Sequence, residues 1–282
     1  MNIKITADST CDLSEELLRQ WNISLMPMHI LMGDDTYLDG VTIHPADVFA
    51  HVDAGGQTPK SAAANPVEYI DFFEPFAKEY DAVIHISVSA KLSSCYQNAC
   101  LAASECSNVY VVDSRNLSTG HGHVVLEACE MAEQGALPAQ EIVLRLQELT
   151  SRVSASFVLD RLDYMRKGGR CSSVAALGAN LLQLKPCIEV AGGRMHVGKK
   201  YRGSLVKCIR SYVEDQLRDL SRIEPHRIFI THTDVPDDAR RTAHEAVESF
   251  GYFHEILDTQ AGCTVACHCG PGTLGVLYIR RG

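Results

Sequence analysis

The chain has 282 residues, 46% hydrophobic and 22% charged, with a formal net charge of −9. This is ordinary globular composition, long enough for two domains, and it excludes default disorder. The acidic balance excludes broad nucleic-acid binding, which needs clustered Lys and Arg.

The predicted elements alternate through the first half. Ile3–Ala7 reads as a strand, and Asp12 with Glu15 resembles a capping box for a helix through Trp21. Ile23–Met32 is the next predicted strand, followed by a polar segment from Gly33 to Ser61. Asn65 and Pro66 open a helix to about Tyr80. Ala82–Val88 has the unbroken apolar character of a buried strand, and a helix over about Ser94–Ser104 follows. Val109–Val112 is a strand, and Gly120–Glu133 a helix. Such alternation implies a parallel sheet with helices on both faces.

The second half predicts a different pattern. Ala155–Leu159 is a strand, and a basic turn, Arg166–Arg170, precedes a helix from about Ser172 to Leu184. Ile188–Val197 reads as a hairpin turning at Gly192 and Gly193. Leu205, Ile209, Tyr212, Val213, Leu217 and Leu220 mark one face of an amphipathic helix. A strand (Arg227–Thr231), a helix (Asp237–Phe250) and strands at Phe253–Leu257 and Thr273–Ile279 complete the chain. The expected fold class is therefore α/β. An N-terminal parallel-sheet domain over 1–152 is followed by an α+β domain over 153–282 with a mostly antiparallel sheet.

No export signal is visible near Met1, and no stretch approaches the roughly 20 apolar residues of a membrane span. The expectation is a cytoplasmic protein without stable membrane insertion. Its 11 cysteines then read as small buried hydrophobes.

Five segments are candidate sites. Asp8, Ser9 and Thr10 follow the first strand, where α/β sheets collect ligands. They read either as a helix cap or as a pocket mouth. Ser93 falls near an N-cap, where its hydroxyl and the first-turn N–H groups could hold a carboxylate or phosphate. A plain capping serine is the alternative. Ser61 lies in a small-residue loop, Lys60–Pro66, that allows close approach of backbone to ligand. Cys267–Thr273 reads as a strand end and tight turn. Cys263, Cys267, His268 and Cys269 are zinc-type ligands, but an extended segment sends Cys267 and Cys269 to one face and His268 to the other. No second Cys pair completes a knuckle, so no metal is expected. Finally, Arg166, Lys167, Arg170, Lys199, Lys200 and Arg202 form either a solvated surface or a docking patch. No phosphate loop, nucleophile elbow or zinc-protease motif is present, which favours binding over catalysis.

Taken together, Asp8-Ser9-Thr10, Leu92–Gln97, Arg161–Arg170, Lys185-Pro186 and His268–Gly272 resemble the motifs of the DegV family, in family order along the chain. The resemblance implies a two-domain protein that binds a long-chain fatty acid such as palmitate, stearate or oleate between its domains. It implies an apolar tunnel for the acyl chain and no cofactor. It further implies a non-catalytic partner of a fatty-acid kinase, presenting the carboxylate for acyl-phosphate formation in phospholipid synthesis. By position, Ser61, Ser93 with Ser94, and His268 are then the carboxylate ligands. Arg202 matches a residue of the kinase-dependent step, with Arg170 and Lys167 beside it in the docking patch. The chain departs from the family at Ser61–Ala64, in place of Thr-Ser-Gln-Pro, and at Ser94 and Cys95, in place of Gly and Thr. Cys267 and Cys269 replace threonines beside His268. A stand-alone enzyme acting on a small anion through Asp8 or His268 is the competing reading.

Overall fold

The computed structural model describes residues 1–175 and 184–282. The first half contains β1 (Ile3–Asp8), a 3-10 turn (Ser9–Cys11), α1 (Glu15–Gln20), β2 (Ser24–Met26), β3 (His29–Met32), β4 (Asp35–Leu38) and α2 (Pro45–Asp53). It continues with β5 (Lys60–Ala62), α3 (Pro66–Glu79), β6 (Ala82–Ser87), α4 (Cys95–Ala103), β7 (Val109–Asp113), α5 (Ser118–Gln134) and α6 (Ala139–Leu149). The second half contains β8 (Val153–Val158), α7 (Asp163–Gly168), α8 (Ser172–Ala175), β9 (Leu184–Ala191), β10 (Arg194–Arg202) and α9 (Leu205–Gln216). It ends with β11 (Ile223–His232), α10 (Asp237–Glu248), β12 (Glu255–Gln260), α11 (Cys263–Cys269) and β13 (Leu274–Arg280).

The fold is α/β, with an all-parallel four-stranded sheet ordered β2-β1-β6-β7. A six-stranded sheet, β10-β9-β8-β13-β11-β12, is antiparallel except at the β11–β12 edge pair. A small antiparallel sheet, β4-β3-β5, is the third.

Side-chain alternation along β6 separates two cores. Ile84 and Ile86 pack with α5 and α6, whereas Val83 packs with Tyr69 and Phe73 of α3 and Ala99 of α4. The α5 core also takes in Val153, Phe229, Leu277 and Ile279, so α5 is a wedge between the parallel and six-stranded sheets. Buried histidines pin it to both. His121 Nε2 meets the Ile86 carbonyl, and His123 Nε2 the Leu277 carbonyl, each at 2.9 Å. Helices α9 and α10 form a further core with β11 and β13.

Several expectations are corrected. Pro27 cannot donate to a ladder, so the single strand expected over Ile23–Met32 is two strands in different sheets. Ser14, not Asp12, caps α1, its hydroxyl accepting the Leu17 N–H at 3.3 Å. The polar segment before Ser61 holds β4 and α2, the latter opened by Pro45 and an Asp47 carboxylate that accepts the His44 N–H at 2.9 Å. Helix α6 stands beyond the expected elements, with Ile142, Leu146 and Leu149 burying one face at helical spacing. The basic turn is the end of α7, with Gly169 in the left-handed region. Of the helix expected over Ser172–Leu184, Ser172–Ala175 is helical, 176–183 lie outside the described residues, and Leu184 opens β9. Cys267–Cys269 is the end of a buried helix rather than of a strand.

Candidate ligand-binding site

The carboxyl ends of β1 and β6 and the first turn of α4 border a cavity of about 400 Å³. This is where a parallel α/β sheet gathers ligands. Across it stand β5, the end of the α7 segment, the β9–β10 hairpin and α11, so residues far apart in sequence share one wall.

Strand β6 delivers the loop that carries Ser93. Its start is anchored by Ser89, whose hydroxyl donates to the Gly193 carbonyl of the hairpin turn at 2.8 Å. Gly193 sits at φ +81°, and a β-carbon there would stand 2.6 Å from the Ser89 oxygen. Ser93 Oγ then accepts the Cys95 N–H at 3.3 Å, whereas the Ser94 side chain caps nothing. The capping hydroxyl is therefore Ser93, one residue before the helical boundary. Both serines line the cavity, Ser93 half-buried and Ser94 exposed.

Ser61 reaches the cavity from β5, where it pairs with Ile30 of β3. Its Oγ lies 2.8 Å from His268 Nε2. Among the described residues, His268 Nδ1 is buried without a partner. Burial and the neighbouring Arg170 charge push His268 down to about 4, so the ring is neutral near neutrality. An unpaired buried acceptor is more tolerable than an unpaired N–H, which assigns the proton to Nε2. Ser61 then accepts from the ring, and its own proton is free for an anion.

Thr10 lines the cavity, but its two predicted companions do not. Asp8 is fully buried behind the wall. It accepts from Ser87 Oγ at 2.7 Å, Val88 N–H at 2.8 Å, His85 Nε2 at 3.2 Å and the Tyr69 hydroxyl. Burial opposes its ionisation, and the His85 and Tyr69 bonds outweigh that, holding the carboxyl below its usual range. Ser9 accepts the Met28 N–H at 3.1 Å and donates to Asp39 at 3.2 Å. Asp8 and Ser9 are thus supports of the wall rather than its mouth.

The mouth carries cations instead. Lys91 and Arg170 both line the cavity and are exposed, and neither meets a carboxylate among the described residues. Lys167 and Arg202 are exposed but lie outside the cavity lining; Lys167 Nζ reaches Thr58 Oγ1 at 3.1 Å.

Helix α11 divides its sides by helical spacing. Thr264 and His268 face the cavity, while Cys263 and Cys267 pack with Phe49 and Tyr164. Cys263 Sγ is directed at the Ile43 carbonyl, 3.3 Å away. Among the described residues, Cys263, Cys267, His268 and Cys269 do not converge on a common point, because a helix turns them to different sides. Val265 and Cys269 face a second void of about 30 Å³, which shares Leu117 with the cavity. Phe157, Val190 and Leu277 complete the lining of that void, so an apolar void lies on the far side of the wall that Leu117, Val265 and Cys269 give the hydroxyl-lined cavity.

Asp12 and Asp39 hold α11 in place, and neither was a sequence candidate. Asp39 accepts the Cys263 and Thr264 N–H groups at 2.8 and 3.1 Å and the Thr264 hydroxyl at 2.7 Å. Asp12, at φ +51°, accepts the Gly262 N–H at 2.9 Å and the Ser118 hydroxyl at 2.6 Å. A positive φ favours Asp or Asn, the one local signal at Asp12.

A family model described as uncharacterised proteins of the DegV family matches residues 2–281. The chain belongs to the DegV family. A DegV domain-containing protein of Clostridium perfringens is 31% identical, with 99% of each chain covered. Among solved structures, a DegV family protein from Thermus thermophilus, described for its fatty-acid binding, superposes with a TM-score of 0.90 at 28% identity. Bacillus subtilis DegV, described as a fatty acid binding protein, gives 0.87 at 26% identity. Both cover 100% of either chain. DegV proteins of known structure thus share this α/β architecture, as the motif resemblance implied.

Proposed function

We propose that this chain is a cytoplasmic carrier that binds one long-chain fatty acid between a domain over 1–152 and a domain over 153–282. The carboxylate sits at Ser61, Ser93 and Ser94 with His268 behind Ser61, and the acyl chain runs along the apolar wall at Leu117 and Val265 into a tunnel, for which the void of about 30 Å³ behind them widens on binding. No cofactor or metal takes part. The carrying observation is that the Ser61–His268 pair and the Ser93 cap line one cavity whose remaining wall includes apolar Met28, Leu92, Leu117, Met195 and Val265. The fatty-acid binding described for the Thermus thermophilus and Bacillus subtilis relatives supports the same ligand class.

Magnitudes divide the roles of tail and head. Each buried methylene is worth about 0.8 kcal/mol, so a chain of about 15 carbons supplies roughly 12 kcal/mol gross. Each hydrogen bond to the carboxylate adds about 1.5–3 kcal/mol. The tail sets affinity, and the hydroxyls set orientation while offsetting desolvation of the charge. Lys91 and Arg170 add favourable charge at the mouth.

The stand-alone enzyme reading loses support at both of its residues. Asp8 is enclosed by four donors behind the wall. His268 lacks a carboxylate at Nδ1 to raise its basicity, among the described residues. We therefore assign the chemistry to a partner, a fatty-acid kinase that docks on Arg202, Arg170 and Lys167. The protein then feeds acyl-phosphate formation for phospholipid synthesis.

Protein purified natively from a lipid-replete host should release a long-chain fatty acid on solvent extraction, identified by mass spectrometry. Empty protein that also takes up neither palmitate nor oleate would overturn the reading. Arg202→Ala should retain its lipid and lose kinase-coupled turnover. Equal loss of both would remove Arg202 from docking.

A further inference from the structure

Helix α7 ends against α11, and the contact is made by a glycine. A β-carbon at Gly168 would stand 2.3 Å from His268 Nδ1 and 3.2 and 3.3 Å from Cγ and Cε1 of the same ring. The local backbone does not ask for glycine. Gly168 is the last residue of α7, outside the left-handed region, and glycine is among the poorest helix formers. The chain reversal falls on Gly169, at φ +66°, with open space where its β-carbon would be. What position 168 must accommodate is the imidazole.

The same contact explains the unpaired Nδ1. The ring edge that carries it lies against backbone that offers it no hydrogen bond, which leaves Nε2 as the protonated nitrogen aimed at Ser61. The Gly168 carbonyl accepts from Arg170 Nη1 at 2.9 Å, and Lys167 is tied to Thr58, three residues before Ser61. The end of α7 therefore abuts His268 directly and is tied to the segment that leads into Ser61.

We propose that Gly168 is a positioning residue for the carboxylate site, seating the His268 ring so that Nε2 donates to Ser61, with Arg170 holding that seat through the Gly168 carbonyl. The role in ligand retention rests on the fatty-acid reading; the seating of the ring does not. Displacing the basic end of α7 then loosens the head-group site, although Gly168 does not line the cavity.

The test compares Gly168→Ala, His268→Ala and the double variant in the full chain, by imidazole ¹⁵N spectra of ligand-free protein and by the rate of palmitate release. Gly168→Ala should shift the His268 Nε2–H signal and speed release about tenfold, because Ser61, no longer held by the ring, loses its hydrogen bond to the charged carboxylate. The double variant should release palmitate within about twofold of His268→Ala alone, because both changes act through one ring. Gly169→Ala should leave the His268 signals in place. Unchanged ring signals in Gly168→Ala, or a double variant that multiplies the two single effects, overturns the proposal. Should Gly168→Ala fail to fold, removing the ring in the double variant should restore folding; a double variant that stays unfolded also overturns it. Wild-type protein that takes up no palmitate defeats the fatty-acid reading, while the ring signals still decide the seat.

Discussion

The wedge helix α5 and the wall helix α11 are both pinned to distant segments by buried polar groups, but with opposite electrostatics. In α5, His121 and His123 donate to strand carbonyls from within a solid core. Burial pushes them down to about 4 and about 3, so they work as neutral rings. In α11, the carboxylates of Asp12 and Asp39 accept from the first-turn N–H groups beside an open cavity. Burial pushes Asp12 up to about 7, against the Ser118 and Gly262 hydrogen bonds that lower it and with nearby Asp39 raising it further. The wedge is thereby sensitive to acid and the wall to base.

The sharpest way to break this comparison is Asp39→Ala, which strands the Ser9 and Thr264 hydroxyls and two helix N–H groups. It should cost about 3 kcal/mol or more in urea unfolding, with loss of bound lipid. Unchanged stability would remove Asp39 as the anchor of α11. The wedge is probed by pH. A histidine whose folded pKa is depressed contributes stability that is present above about 6.5 and is lost as pH falls toward the folded value. His121→Gln and His123→Gln should each flatten the pH dependence of unfolding free energy by about 1.4 kcal/mol per pH unit between about 6.5 and 4. An unaltered slope would show that the rings are not buried neutral.

Asp12 carries the opposite sign. Its folded pKa is raised, so its contribution is present at low pH and is lost as pH rises through about 7. Asp12→Asn keeps an acceptor for the Gly262 N–H, tolerates the positive φ, and should be more stable than the parent above pH 7. A variant that loses stability there would show that Asp12 works as a carboxylate. The smallest effect on folding belongs to the cavity face itself. Ser93→Ala should weaken fatty-acid binding about tenfold, measured by displacement titration, with unfolding changed by about 1 kcal/mol from the lost cap. Unchanged affinity would take Ser93 out of the head-group site.

Much of the parallel sheet is legible locally. The apolar run at β6 and the Asn65–Pro66 opening of α3 each carry their signal within a few residues, and both form where expected. Helix α6 carries an equally plain local signal, with Ile142, Leu146 and Leu149 at helical spacing on one buried face. The end of α11 is different. His268 between two cysteines, before Gly-Pro-Gly, resembles a strand and turn, and helical packing against Phe49 and Tyr164 overrides that pattern. Candidate site residues were found as types, hydroxyls and a histidine near element ends, but Asp8 and Ser9 proved to be supports. No local pattern distinguishes a carboxylate that lines a cavity from one that holds its wall.

Ser93 at a strand-to-helix turn and the motif order along the chain follow from the amino-acid sequence, because turns and helix starts are set by neighbours a few positions apart. The partner of Ser61 does not follow from it. Ser61 and His268 are 207 positions apart, and the Gly168 seat lies on a third segment. Only the packing of α11 against both β5 and α7 brings them together, because the contact depends on where three separate backbones meet rather than on what each prefers alone.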